Sequence, residues 1–247
     1  MGENKKREKV FQFKQFAVRN ELSAMKVGTD GVLLGAWTHA EGAKSVLDIG
    51  TGCGLIALMI AQRNTEAQIT GIDISHDAIK EAKENALASP WRDRITMLEC
   101  DFNHAIAHKL LGDYDLVVSN PPYFTSTITA PNENRALARH CSTLDYSDII
   151  KTCSGGLLTE GGVLSLISPT DRIDDIIFSA EMSHMKIISQ VNVSTKYNSA
   201  PSRVLWEITY SGNGQRSAPI ETLQIYKDAG IYSDEYRFLI QDFYLHF

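Results

Sequence analysis

Six consecutive residues, Ser119-Asn120-Pro121-Pro122-Tyr123-Phe124, place an amide, two prolines and two aromatic rings directly after the apolar run "YDLVV". An Asn-Pro pair opens many turns, so a stiff structural corner is one reading. The other is a site that holds one flat, polar group rigidly. Three further places carry chemistry where an apolar run gives out. "DIGTGCG", Asp48 to Gly54, sets glycines at 50, 52 and 54 ahead of a helix-like stretch. Glycine lets backbone approach a ligand closely, and a helix start offers unpaired N–H groups. The spacing is GxGxG. A dinucleotide-binding turn wants its third glycine at 55, where Leu55 stands. "GIDIS" places Asp73 and Ile74 after the next run, and a carboxylate there can accept both hydroxyls of a ribose, as nicotinamide enzymes also arrange. "ECDF" ends a third run with Asp101 and Phe102, which can bracket an adenine, the carboxylate taking its amino group.

Those places need a frame. Strand-like runs at 45–50, 68–74, 94–100, 114–119 and 162–168 alternate with helix-like stretches at 55–63, 76–89 (Ser75 as N-cap), "YSDIIKTCSGGLL" and "TDRIDDIIFSAEMSH". This alternation predicts a parallel sheet covered on both faces. "MKIISQVNV" and "RVLWEITY" have no helix between them and predict an antiparallel pair finishing the sheet. Residues 211–214 read as a turn and "SDEYRFLIQDFYLHF" as a closing helix. Near the other end, "VFQFKQFAVR" reads as an added strand or hairpin, and 29–37 as a helix opened by Thr29 or Asp30. About twenty residues between Phe124 and Asp145 show no period, and loops of that length are usually functional or disordered. One domain over 45–247, with an N-terminal extension of residues 1–44 packed on it, is the expected organisation.

"VLDIGTGCG", "GIDIS", "CDF" and "SNPPYF", in this order, resemble the class I S-adenosylmethionine-dependent methyltransferases over roughly residues 45–210. The resemblance implies a Rossmann-like α/β fold: a seven-stranded, mostly parallel sheet, its last strand antiparallel, with helices on both faces. It implies S-adenosylmethionine as cofactor, held by Asp48, Gly50, Gly52, Gly54, Asp73, Ile74, Asp101, Phe102 and Asn120. In that fold the fourth strand ends over the methyl group to be transferred, so Asn120, Pro121, Pro122 and Tyr123 stand where the acceptor is held. An exocyclic amine is a poor nucleophile because its lone pair is delocalised into the ring. The Asn120 side-chain carbonyl and the Pro121 backbone carbonyl can each take one of its hydrogens and help it rehybridise. Proline has no N–H to compete there, and Tyr123 supplies a ring face for an extruded base. Adenine N6, guanine N2 and a glutamine amide all satisfy such a clamp.

Three more stretches, 13–37, "RALARH" (135–140) and "PSRVLWE" (201–207), are with "NPPYF" similar to the bacterial valine tRNA adenine-37 N6-methyltransferases. That family implies transfer to N6 of an anticodon-loop adenine, with tRNA as partner. Lys26, Arg135, Arg139, His140 and Arg203 are then candidates for phosphate or base contacts, or equally surface charges. Release-factor glutamine methyltransferases share NPPY and are the alternative. They usually carry a separate helical N-terminal domain, which does not fit in 44 residues. Thr29 and Asp30 either line the cofactor pocket or cap a helix. Trp37 and Trp206 are expected in the core, and Cys53 is not expected to act as a nucleophile.

Composition sets outer bounds. The chain is 43% hydrophobic and 22% charged, as ordinary soluble domains are. A net charge of −6 speaks against a general nucleic-acid binder. Residues 1–26 nevertheless hold seven basic and three acidic side chains, a local RNA contact or a solvated tail. Four cysteines without a CxxC pair read as free thiols of a reducing compartment, with no zinc spacing. No run of eighteen apolar residues and no secretory start are present. A cytoplasmic enzyme needing neither membrane nor metal is the expectation.

Overall fold

Strands buried on both faces build the centre. Val46 to Ile49 and Leu116 to Ser119 are all buried, as the near-continuous apolar strands of a parallel sheet must be. The computed structural model describes residues 10–108, 111–122, 144–210 and 219–246. In order they form β1 (Val10–Gln12), β2 (Ala17–Arg19), α1 (Thr29–Trp37), β3 (Ser45–Ile49), α2 (Leu55–Arg63), β4 (Gln68–Asp73), α3 (His76–Ala88), β5 (Ile95–Glu99), α4 (Phe102–Ala107) and β6 (Tyr114–Ser119). From residue 144 on come α5 (Tyr146–Thr152), β7 (Leu158–Pro169), α6 (Ile173–Met182), β8 (Met185–Ser194), β9 (Arg203–Tyr210), β10 (Ile220–Gln224), β11 (Tyr226–Asp228), β12 (Ile231–Tyr232) and α7 (Asp234–Ile240).

The main sheet has the order β10-β8-β9-β7-β6-β3-β4-β5. Strands β5, β4, β3, β6 and β7 are parallel, while β9 runs antiparallel to both β7 and β8. Seven of these strands are the ones expected, with β9 as the reversed one. An eighth, β10, lies parallel to β8 on the outer edge. Its first three residues are exposed, so it carries no buried-strand pattern.

Alternation along β3 divides the core, since successive side chains point to opposite faces. Val46 joins the cluster of α1, α2 and the N-terminal hairpin, whereas Leu47 and Ile49 join the cluster of α5 and α6. β1 and β2 form the hairpin, and Phe13 and Phe16 in its turn stack at 4.6 Å. Phe16 also meets the edge of Trp91 at 5.7 Å. The Lys14 N–H donates to the Phe243 carbonyl at 2.8 Å, joining the hairpin to the chain's end. Trp206 is fully buried, its indole N–H donating to Ser168.

Two local expectations need correction. α1 spans Thr29–Trp37 as expected and opens at Thr29, but Gly28 holds the N-cap position with no side-chain cap, so neither Thr29 nor Asp30 caps it. Asp30 instead accepts a hydrogen bond from Arg203. α5 stops at Thr152 and leaves through a wide turn in which Gly156 has φ 109°, so the helix is shorter than "YSDIIKTCSGGLL". Among the described residues no helix is long and apolar enough to cross a membrane.

Gly71 in β4 is needed for close approach. A methyl group there would lie 2.5 Å from Met97 Sδ and 2.9 Å from Thr51 Oγ1. The Met97 end can swing away, but the Thr51 hydroxyl is tied to Asp48 at 2.6 Å. Gly71→Ala should therefore destabilise the fold by about 1–3 kcal/mol through overpacking. The measurement is the urea midpoint at unchanged m. An unmoved midpoint would mean that the turn over β4 yields freely.

Candidate functional site

Parallel register gathers the chemistry at one end of the sheet. Ile49 pairs with Ile72 and with Ser119, and Asp73 pairs with Glu99. The Ser119 hydroxyl donates to the Ile49 carbonyl at 2.8 Å, closing β6 onto β3. The connections after β3 and β6 run to opposite sides of the sheet, and such a switch point is where open α/β sheets bind ligands. A cavity of about 520 Å³ opens there. Gly50, Gly52, Asp73, Ile74, Asp101, Phe102, Asn120 and Pro122 line it. A hollow of similar size, about 540 Å³, lies between the hairpin and α3 and holds none of these groups.

The Gly-rich turn is set by what lies beneath it. The N–H groups of Gly50 and Thr51 both donate to the Ile72 carbonyl at 2.9 Å. Gly52 has φ 56°, and a methyl group on it would meet nothing within 4 Å. Its N–H donates to Asp73 Oδ2 at 3.0 Å, and the Ser75 N–H donates to Asp73 Oδ1 at 2.9 Å. A carboxylate offers about four acceptor directions, so both oxygens retain one for a vicinal diol. Asp101 Oδ1 caps α4 by accepting from the His104 N–H at 3.0 Å, and Phe102 lies beside it on the wall. A diol acceptor, an acid with a ring for a purine, and glycine backbone facing open space fit S-adenosylmethionine.

Two expected cofactor contacts are corrected. Asp48 is fully buried and off the cavity wall. Its Oδ2 accepts from the Thr51 hydroxyl at 2.6 Å and the Ala57 N–H at 3.2 Å, so it braces the turn from below. Burial pushes its pKa up to about 7, against the two hydrogen bonds and with repulsion from Asp73. Gly54, with φ 84°, starts α2 and faces Met97 and Ala82 rather than the cavity.

Asn120 and Pro122 meet the cavity, while Pro121 is buried and off its wall. Tyr123, Arg135, Arg139 and His140 lie outside the described residues. Lys26 was a candidate for a phosphate or base contact or equally a surface charge. Its ammonium group instead donates to the carbonyls of Glu21 at 3.0 Å and Ser23 at 2.9 Å. Arg203 is likewise engaged, its Nε with Asp30 at 2.9 Å and a guanidinium N–H with the Ser202 carbonyl at 2.8 Å. Cys53 is buried, and burial pushes its thiol pKa up to about 11, the state of an inert thiol.

Sequence reasoning missed Ser23, Ala24, Met25, Cys100 and Leu144 on the wall. Cys100 adjoins Asp101 and could have been found with it. Residues 20–26 show no hydrophobic period that would have singled out the other N-terminal lining residues. Met25 Sδ lies 3.8 Å from Asn120 Nδ2, so the extension reaches the acceptor motif.

Residues 23–143 match the family described as "Methyltransferase small domain". A tRNA1(Val) (adenine(37)-N6)-methyltransferase of Bacteroides thetaiotaomicron is 41% identical, covering 96% of this chain and 97% of its own length. One of Yersinia enterocolitica is 40% identical, covering 96% and 93%. The crystal structure of a predicted O-methyltransferase from Agrobacterium tumefaciens matches with a TM-score of 0.64 at 21% identity, over 87% of this chain and 96% of that one. A ribosomal protein L11 methylase from Lactobacillus delbrueckii subsp. bulgaricus matches at 0.50 and 17% identity, over 73% and 77%. At such identities these two structures speak for the fold alone.

Asp48 gives the turn a pH signature. Its carboxyl stays protonated in the folded chain up to about pH 7, whereas the ordinary aspartate value is 3.8. Between those values the folded state binds the extra proton, so this group's contribution to stability falls as pH rises through the window and is flat outside it. Asp48→Asn is neutral throughout. Its Tm minus the wild-type Tm, measured without ligand, should increase from about pH 5 to about pH 8. A difference that does not change with pH would mean that Asp48 is ionised across the range.

Proposed function

Because this chain belongs to the tRNA1(Val) (adenine(37)-N6)-methyltransferase family, we propose that its strand-end cavity brings a methyl donor and an extruded adenine together on Asn120. The protein is an S-adenosylmethionine-dependent tRNA methyltransferase, and it acts on N6 of adenine 37 in valine tRNA. One observation carries the assignment of residues. Asn120 stands on the wall of the same cavity as Asp73, Asp101 and Phe102. The named relatives act on tRNA, and nothing in them supports a glutamine amide as acceptor.

S-adenosylmethionine, when bound, supplies an electrophilic methyl group. Asp73 holds the ribose hydroxyls, and Asp101 with Phe102 holds the adenine of the donor. Asn120 Oδ1 accepts one hydrogen of the target amine and the Pro121 carbonyl the other, drawing electron density onto nitrogen. Pro122 limits the freedom of that corner, and Tyr123 offers a ring face to the flipped base. The chain's main task is alignment, because in-line displacement gains most from proximity. The amine proton becomes acidic once nitrogen is alkylated, so no strong base is required.

Residues 1–44 act as an extension of this one catalytic unit, a reading supported by the burial of Phe13, Phe16 and Val18 with α1 and α2 in one core. The described cations of residues 10–26, Lys14, Arg19 and Lys26, already have partners within the chain. We assign phosphate and base contacts to the residues that follow the clamp in sequence, with Arg135, Arg139 and His140. The cytoplasm, where tRNA is matured, is the compartment this activity suits.

Asn120→Ala should lower kcat by roughly 10²-fold, the loss seen when one preorganised transition-state hydrogen bond is removed. Its KM for tRNA should change little. Asp73→Ala should weaken donor binding by about 1.5–3 kcal/mol in calorimetry, since the diol loses a charged acceptor. Mass spectrometry of nucleosides from treated valine tRNA should give one added methyl at adenine N6. Label on release-factor glutamine and none on tRNA would overturn the assignment.

A further inference from the structure

Residues 19–26 form a strap from the hairpin to α1, and one face of α3 grips it. The Glu81 carboxylate accepts from the backbone N–H groups of Glu21 at 2.5 Å, Leu22 at 3.0 Å and Ser23 at 3.0 Å, and from the Ser23 hydroxyl at 2.6 Å. One helical turn on, Asn85 accepts from the Arg19 N–H at 2.8 Å and donates to the carbonyls of Arg19 and Cys53, each at 2.9 Å. The same helix face thus holds the strap and the Gly-rich turn. From the strap's far end, Lys26 donates back to the Glu21 and Ser23 carbonyls. Beyond the grip, Ser23, Ala24 and Met25 form cavity wall, and Met25 reaches Asn120.

Glu81 is 2% exposed, an expensive place for a carboxylate unless its acceptor positions are filled. Burial raises its pKa, and the hydrogen bonds from Ser23, Leu22 and Glu21 outweigh that, leaving the pKa below its ordinary value. The group is thus ionised at neutral pH and bound to four donors. The strap's buried residues, Asn20 and Ser23, are both polar, so apolar burial does not set its course.

We infer that Glu81 is a positioning residue for the methyl donor: it fixes residues 21–25 as a preformed wall of the cofactor cavity. The inference rests on reading that cavity as the S-adenosylmethionine site. Fixing the wall before binding removes an ordering cost that the ligand would otherwise meet. The effect therefore belongs to donor affinity rather than to the transfer step.

The test titrates the full-length wild type, Glu81→Gln and Ser23→Ala with S-adenosylmethionine and S-adenosylhomocysteine by calorimetry without tRNA. Ligand-free Tm values choose a temperature at which all three are folded. Glu81→Gln keeps the volume but turns an amide N–H₂ toward donors. Its affinity for both ligands should fall by about tenfold or more, equivalent to about 1.4 kcal/mol. KM for S-adenosylmethionine should rise in proportion, with kcat at saturation within about threefold of wild type. Ser23→Ala, which removes one of four donors, should lose about threefold in affinity, and it decides the matter if Glu81→Gln does not fold. A folded Glu81→Gln with wild-type affinity, even with a lowered Tm, would make Glu81 purely structural and overturn the inference. So would unchanged affinity in Ser23→Ala. Wild-type protein that binds neither ligand would overturn the reading of the cavity itself, and this inference with it.

Discussion

A closed circuit of hydrogen bonds around the cavity is the constraint on which the rest of the site depends. It starts under the Gly-rich turn, where buried Asp48 holds the Thr51 hydroxyl and the Ala57 N–H. The turn then presents the Gly52 N–H to Asp73, which also takes the Ser75 N–H at the start of α3. From α3, Glu81 grips the strap, and the strap ends with Met25 beside Asn120. Ser119, the neighbour of Asn120, bonds back to Ile49 next to Asp48. The circuit mixes contacts local in sequence, such as Thr51 to Asp48 and Ser75 to Asp73, with distant ones, such as Ser23 to Glu81 and Ser119 to Ile49. Removing one frees its neighbours to find other partners, so substitutions around this circuit should not be additive.

Two buried carboxylates in that circuit have their pKa values shifted in opposite directions. Asp48 and Glu81 are both out of water, and burial raises the pKa of each. Glu81 has four donors arranged on it and stays ionised. Asp48 has two, both on Oδ2, while its Oδ1 is buried without a hydrogen-bond partner among the described residues. Depth of burial, donor count and, for Asp48, repulsion from Asp73 together set the direction of each shift. The ionised group can hold a loop that has no apolar anchor of its own. The group that favours its proton braces a turn already fixed by two strands.

The strand ends were legible because they are written in local terms. Val46 to Ile49 and Leu116 to Ser119 are buried on both faces, and the residues that follow each run, Gly50 and Asn120, mark the ligand side. Spacing could not say which member of "DIGTGCG" faces outward. Asp48 lies beneath the turn and Gly54 faces Met97, though both share a motif with Gly50 and Gly52. Charge type was a poor guide too. Lys26 and Arg203 read as phosphate or base contacts or equally as surface charges, and both make hydrogen bonds within the chain that the sequence did not announce. β10 carries little pattern because an edge strand with exposed residues has none to show. The strap's partners, Glu81 and Asn85, lie about sixty residues away, and nothing in residues 20–26 points to them.

That strap explains why the extension belongs to the catalytic unit. Its N-terminal end is fixed by Phe13 and Phe16, buried aromatic side chains each contributing about 1.5–3 kcal/mol. Its C-terminal end runs into α1, where Gly35 allows Met59 of α2 to approach so closely that a methyl group would meet its Sδ at 2.8 Å. Between these apolar anchors the chain has no hydrophobic reason to take any one path, and Glu81, Asn85 and Lys26 supply a polar one. One part of the donor wall is therefore built from β3, β4 and β5, whose ends the sheet fixes. The side nearest Asn120 depends on a segment fixed from both ends by packing and in the middle by one carboxylate.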